Sequence, residues 1–311
     1  AWLWQHKDWP NMVWQQQQLA PLLRGVYDRL GQLKGKSALV ENNAEFSLDT
    51  LLANIVASSA IESEKVDVYA GRSSLARQLG INDKSPVKTD GSSEGLASLM
   101  RSAVTDLDEP IKLERLLNWH RWLFEHHESL MQRVEPGVLR GGAPMQIVSG
   151  PITRPTVHFE APPRANIETE LESFVNWYNE TQQDSHYDPL LRAAIAHLWF
   201  VTIHPFEDGN GRITRALTDR ALAQADRQSI RLFAMSEAIL ANRTGYYDIL
   251  EYTQKHGVDI TPWLVWFLQT LAEAVDAALI KIDRVVAKAK FWAHHADKNI
   301  QPNQQKVINR L

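Results

Sequence analysis

The chain has 311 residues, a formal net charge of −4 and no cysteine. That length suits one large domain or two smaller ones, and the mild acidity gives no general nucleic-acid signal. Disulfides and thiolate metal sites are excluded, and with no signal peptide and no apolar run long enough to span a membrane in view, a soluble cytoplasmic protein is expected.

Residues 1–46 carry Trp2, Trp4, Trp9 and Trp14 and read as a Trp-rich module. Trp2 and Trp4 alternate with Leu3 and Gln5, which predicts an extended start. Four exposed indoles are an apolar liability, so they are expected to dock on the body or on a second subunit, with a ligand-binding aromatic patch as the alternative. Gln15 to Leu33 predicts a helix with Leu19, Leu22, Leu23, Val26 and Leu30 on one face, ended by Lys34-Gly35-Lys36. Ser47-Leu48-Asp49-Thr50 starts a second helix that runs to about Glu64. Gly80 to Gly95 reads as a polar loop, and with the second helix it makes a segment over 47–95.

From residue 96 to 290 the chain reads as one helical core. Helices are predicted near Leu96–Thr105, Leu113–Phe124, Ile167–Tyr178, Leu190–Ile203, Arg212–Ala225 and Asp259–Ala287. His126-His127-Glu128 reads as a solvated polar face, since adjacent histidines point to different sides of a helix. Val138 to Pro163 is rich in glycine and proline. Within it, Met145-Gln146-Ile147-Val148 and Thr156-Val157-His158-Phe159 predict two short strands and hence a hairpin. Residues 299–311 are polar and amphipathic, and 291–311 read as the start of a C-terminal module.

The densest chemistry lies in His204-Pro205-Phe206-Glu207-Asp208-Gly209-Asn210-Gly211-Arg212-Ile213-Thr214-Arg215, between two helices. Gly209 and Gly211 let the backbone approach a ligand, and a helix start presents unpaired amides to an anion. Asn210 adds neutral donors. Arg212 and Arg215 share a helix face and suit successive phosphates. Asp208 is a hard ligand suited to Mg²⁺ held between protein and phosphates. His204 is of the type that takes a proton near neutral pH. Pro205 favours an extended His204 and ends the preceding helix. Phe206 is expected to anchor the loop. A polar interhelical loop with solvated arginines is the plain alternative.

These twelve residues resemble the signature of the Fic family, H-P-F-x-[DE]-G-N-G-R-x-x-R, with every fixed position matched. The resemblance implies a mostly α Fic-type helical core with a β-hairpin flap, acting as a Mg²⁺-dependent protein adenylyltransferase. It would move AMP from ATP to a target hydroxyl, with His204 as base and Asp208 on Mg²⁺. Gly209 through Arg215, with Ile213 and Thr214 between the arginines, would hold the nucleotide. Ser58-Ser59-Ala60-Ile61-Glu62-Ser63 resembles the family's inhibitory motif, [ST]-x-x-x-E-[GN], with Ser58 and Glu62 in place and Ser63 departing from Gly or Asn. In the family this glutamate pairs with the second signature arginine and displaces the γ-phosphate. The Met145–Val148 strand resembles the flap that docks a target segment as an added strand. Tyr246 and Tyr247 resemble a pair near the adenine, Tyr247 being the base-contact candidate; stacking and core filling both stay open. The resemblance also admits self-modification and a homodimer, and DNA binding only through a module outside this chain. Rival readings are AMP removal, transfer of another phosphate-containing group, and a nucleotide-sensing regulatory module.

Overall fold

The computed structural model describes residues 1–40, 43–83, 86–126, 134–151, 153–227, 231–295, 301 and 303–304. They form α1 (Gln16–Ser37), α2 (Asn43–Ile61), α3 (Val68–Leu79), α4 (Gly91–Val104) and α5 (Leu113–Phe124). An antiparallel hairpin follows, β1 (Gln146–Ser149) and β2 (Thr156–Glu160). Then come α6 (Ile167–Glu180), α7 (Pro189–Ile203), α8 (Asn210–Ala225), α9 (Met235–Ala241), α10 (Arg243–Lys255) and α11 (Thr261–His294). The fold is mostly helical with one hairpin, as the sequence predicts.

Helix α7 is the axis of the core. Asp188 starts it by accepting the Leu190 N–H at 2.8 Å, and Pro189 follows in the first turn, where a missing donor is no loss. Every side chain from Leu190 to Ile203 is buried, so the helix must be covered on all sides. α8, α6 and α11 pack against it, and α4 and α5 close over α8. Helix α1 lies along α11, burying Leu19, Leu23, Val26, Leu30 and Leu33. Helix α2 packs between α9 and α8, which brings its C-terminal end to the start of α8.

Several expectations shift. Leu3 to Gln5 is a short 3-10 turn rather than an extended segment, because Leu3 is the fully buried residue there. The four tryptophans dock on the body. Trp4 Nε1 donates to the Glu160 carbonyl at 2.7 Å, Trp9 Nε1 donates to Glu170 at 3.0 Å, and Trp2 and Trp14 pack on Phe159 and Tyr187. Lys34-Gly35-Lys36 does not end α1, which gains a last turn to Ser37. Helix α2 starts at Asn43, before Ser47, and stops at Ile61, short of Glu64.

Helix α3 and the first turn of α4 lie where no helix was predicted. Asp67 caps α3 through the Tyr69 and Ala70 amides at 3.0 Å, and Asp90 caps α4 through the Ser93 amide at 2.7 Å. Gly95 lies so close to Trp122 that a Cβ would fall 2.0 Å from its carbonyl oxygen, so the glycine serves helix packing rather than a loop. Helix α11 is long and apolar enough to cross a membrane by length and composition, contrary to expectation, since only Glu273 and Asp276 interrupt its apolar first half. Half of that apolar window is buried inside the protein, as in a core helix. His127, Glu128 and most of 299–311 lie outside the described residues.

Candidate functional site

The signature loop bridges the C-terminus of α7 and the N-terminus of α8. His204 closes α7 in a left-handed conformation (φ 51°, ψ 60°), donating its N–H to the Phe200 carbonyl at 3.1 Å. It is not extended as Pro205 predicted. An L-residue in this region is strained by about 1–3 kcal/mol and persists only where neighbours determine it. Here the neighbour is Arg140, a residue the sequence reading did not single out. Its side chain is fully buried, its Nε donates to the His204 carbonyl at 2.8 Å, and its guanidinium also reaches the Pro162 carbonyl. The Arg140 amide donates to Pro205 at 3.0 Å and the Gly141 amide to Glu207 Oε1 at 2.7 Å. The segment entering the hairpin is therefore laced to the signature loop. Arg140→Met is expected to lower stability by about 3 kcal/mol, because two buried carbonyls lose their donor. A denaturant titration checks this.

A second unforeseen support is His120, fully buried beneath the loop. Its ring stacks on Phe206 at 4.2 Å between centroids, and its Nδ1 accepts the Gly137 amide at 2.9 Å. Burial first pushes its pKa down, to about 4, so it stays neutral. Phe206 itself is fully buried and anchors the loop as expected.

The His204 ring lies on the loop side of α7 with Nδ1 3.2 Å from the Val201 carbonyl. A carbonyl only accepts, so Nδ1 carries the hydrogen and the neutral ring keeps a lone pair on Nε2. Burial lowers the His204 pKa, and the nearby Arg140 charge works the same way, against the Val201 bond and the Glu62 and Asp208 charges. The ring is held as a free base.

The next residues differ in whether their polar groups are already bonded within the loop. Gly209 has φ 81°, a left-handed value that suits glycine, and it opens α8. Asn210 is not a free donor. Its side chain accepts the Phe206 N–H at 3.0 Å and donates to the Phe206 carbonyl at 2.8 Å, stapling the loop. Ile213 and Thr214 are fully buried, with the Thr214 hydroxyl on the Asn210 carbonyl at 2.7 Å. Their side chains shape the helix and do not face the loop's open side. Asp208 is exposed and its Oδ1 accepts the Gly209 amide at 2.6 Å.

Among the described residues no group of three or more His, Cys, Asp or Glu is placed to hold a metal. One exposed carboxylate beside a helix start and two buried arginines still fits Mg²⁺, which keeps several waters and needs few protein ligands.

The two arginines are both buried. Arg212 lies over the Phe124 ring at 5.2 Å, and its Nε has no partner. Arg215 Nε donates to Ser58 Oγ, and its Nη2 to the Ser58 carbonyl and to Glu62 Oε1, each at 2.8 Å. Nη1 of Arg215 has no partner. Burial works against the Glu62 charge, but Arg215 outweighs it, with help from Arg212 and Tyr247, and holds the carboxyl below its usual range. Gly211 makes room for this pair: a Cβ there would lie 1.9 Å from Glu62 Oε1.

Tyr247 is partly exposed and its hydroxyl lies 3.3 Å from Glu62 Oε2. Tyr246 is buried, with its hydroxyl 2.8 Å from His197 Nε2, so its ring belongs to the core. Of the hairpin candidates, Gln146, Ile147 and Val148 are exposed on β1, and Met145 lies just before it, its carbonyl accepting the Ala161 amide at 2.9 Å.

The Fic/DOC family model matches residues 110–222, and a domain of unknown function, DUF4172, matches residues 2–81. Protein adenylyltransferase Fic of Nematostella vectensis is 26% identical over 230 residues, 73% of this chain and 48% of that protein. Protein adenylyltransferase fic-1 of Caenorhabditis elegans is 26% identical over 298 residues, 93% of this chain and 52% of that protein. The chain thus spans about half the length of these curated relatives. A solved Fic family protein from Desulfovibrio desulfuricans has a TM-score of 0.62 at 22% identity, covering 84% of this chain and 75% of that one. A Fic domain containing signaling protein from Bacteroides thetaiotaomicron has a TM-score of 0.58 at 19% identity, covering 82% and 97%. These two likenesses concern the fold.

Proposed function

We propose that this chain, whose residues 110–222 match the Fic/DOC family model, is a protein adenylyltransferase that holds itself back through Glu62. The observation that carries this reading is the loop itself: a histidine kept as a free base at one end, and a helix start with two buried arginines at the other. Relatives named protein adenylyltransferase support it. In the reaction a target hydroxyl oxygen attacks the α-phosphorus of ATP. Nε2 of His204 takes the hydroxyl proton, the oxygen–phosphorus bond forms, and the bond to pyrophosphate breaks. The α8 amides and Arg212 hold phosphate charge, and Arg215 would do so once released from Glu62. Asp208 would hold Mg²⁺, which when bound neutralises phosphate charge. Tyr247 is the candidate contact for the base. The target is proposed to add a strand along β1, whose four residues are all exposed.

Incubation with α-labelled ATP and Mg²⁺ tests the reading. Label is expected on a protein hydroxyl, and Asp208→Ala is expected to lose the Mg²⁺-dependent turnover. Nucleotide binding without transfer of label would favour a sensor module instead.

The proposed restraint has a weak point at Ser63. This residue follows the end of α2 with φ 64°, a left-handed value that glycine or asparagine adopts more readily. Its hydroxyl accepts from Arg243 Nη2 at 3.3 Å. Ser63→Gly is therefore expected to stabilise the protein by about 1 kcal/mol and to lower basal transfer, because Glu62 gains a better-fixed helix end. Chemical denaturation and the labelled-ATP assay read the two effects. Unchanged basal transfer in a stabilised variant would separate the helix end from the restraint.

A further inference from the structure

The hairpin skips one residue in its pairing. Ile147 pairs with Phe159 and Val148 with Val157, so His158 has no partner on β1 and forms a bulge. A bulge re-aims the side chain it carries. The His158 ring lies between two other groups. Its Nδ1 is 2.7 Å from Oε2 of Glu251 on α10, and its Nε2 is 2.6 Å from Ser149 Oγ on β1. Glu251 is in turn held by Lys255 Nζ at 2.5 Å, and that bond comes first among the causes that keep its carboxyl below the usual range. An ionised carboxylate only accepts hydrogen bonds. Nδ1 therefore carries the hydrogen, so that whenever the ring is neutral its Nε2 lone pair faces the Ser149 hydroxyl. Ser149 is exposed at the end of its strand.

This is the order of groups that activates a serine: a carboxylate that orients and charges an imidazole, and an imidazole that accepts the hydroxyl proton. We propose that Ser149 is a nucleophilic serine activated by His158 and Glu251, a second reactive centre that takes small activated phosphoryl or acyl groups. In the step, Ser149 Oγ bonds to the electrophilic phosphorus or carbonyl carbon, and its proton moves to His158 Nε2. The bond to the leaving group breaks, and that group departs with the electron pair. Ser149 stands on an open strand rather than in a cleft. Its electrophile must therefore bring a leaving group that departs without protonation, as acyl phosphates, nucleotide anhydrides and fluorophosphonates do.

A hydrogen-bond chain that merely fastened the hairpin to α10 would confer no reactivity, and this difference makes the test. The full chain, without nucleotide, is treated with a small fluorophosphonate, and the labelled peptides are followed by mass spectrometry over time. Leaving nucleotide out makes the result independent of the adenylyl-transfer reading. Ser149 is expected to label about a hundredfold faster than the exposed Ser185. His158→Gln is expected to abolish that advantage, Glu251→Gln to reduce it, and Ser149→Ala to remove the label. Amide hydrogen exchange across β1 and β2 reports whether the hairpin stays paired in each variant. Loss of labelling in a paired hairpin supports the relay. Labelling of Ser149 no faster than Ser185, or undiminished in His158→Gln, overturns it. So does a loss found only where the strands have come apart.

Discussion

His204→Ala is expected to lower transfer of label from ATP by about a hundredfold or more, while nucleotide binding stays within about twofold of wild type. The expectation rests on the Nε2 lone pair that the Val201 bond at Nδ1 leaves in place. Alanine at φ 51° keeps the backbone strain and loses the Val201 bond, so a thermal melt should accompany the assay. The pH dependence makes the same argument with a sign. A general base works only when deprotonated, and burial holds the His204 pKa below its usual value. As pH falls, the ring stays unprotonated for longer than an ordinary histidine would. The acid limb of the transfer profile is therefore expected below the ordinary histidine range. An acid limb at or above that range, or undiminished transfer by His204→Ala, would remove His204 as the base.

Glu62→Gly is expected to move activity the other way, raising transfer by about tenfold or more. In the resting arrangement Glu62 occupies Arg215, and its Oε1 crowds the space above Gly211 where phosphate oxygens would approach the α8 amides. Removing the carboxylate frees the arginine and clears that space, so the α-phosphorus can align for attack. Arg215 does not collapse when freed, because Ser58 still accepts from Nε and Nη2 at 2.8 Å. Arg215→Ala is expected to stay inactive although it also releases Glu62, since the same arginine serves the phosphates. The pair of variants separates restraint from structural support. It also addresses AMP removal, in which Glu62 would direct a water and Glu62→Gly would lose activity. A folded Glu62→Gly protein that transfers no faster than wild type ends the restraint hypothesis.

Much of the architecture was legible from local signals. Leu113–Phe124 was predicted to the residue, and α7 to within one residue at its start, because an apolar pattern is a property of a few neighbouring residues. The hairpin was legible from its β-branched runs between prolines and glycines. Helix α3 was not: besides Leu75 it buries alanine, glycine and serine, whose weak apolar signal becomes a core face only when α2 and α4 pack against it. The bulge at His158 was equally silent, since pairing register is set between strands.

At the site the division is similar. By itself the sequence determined which groups are present in one loop and in what order: His204, Asp208, Gly209, Gly211, Arg212 and Arg215. All six lie within twelve consecutive residues, so their order and spacing carry the chemistry. Only the tertiary structure decided which of them remain free to act. It placed Glu62 and Ser58 on Arg215 across more than 150 residues of chain. It spent the Asn210 amide on Phe206 and the Tyr246 hydroxyl on His197, and it supplied Arg140 and His120 as supports. It also turned Ser63 to a positive φ. Each of these depends on which donor and acceptor are buried together. Burial is a property of the packed whole, because a polar group in the interior must take whatever partner the neighbouring helices bring to it.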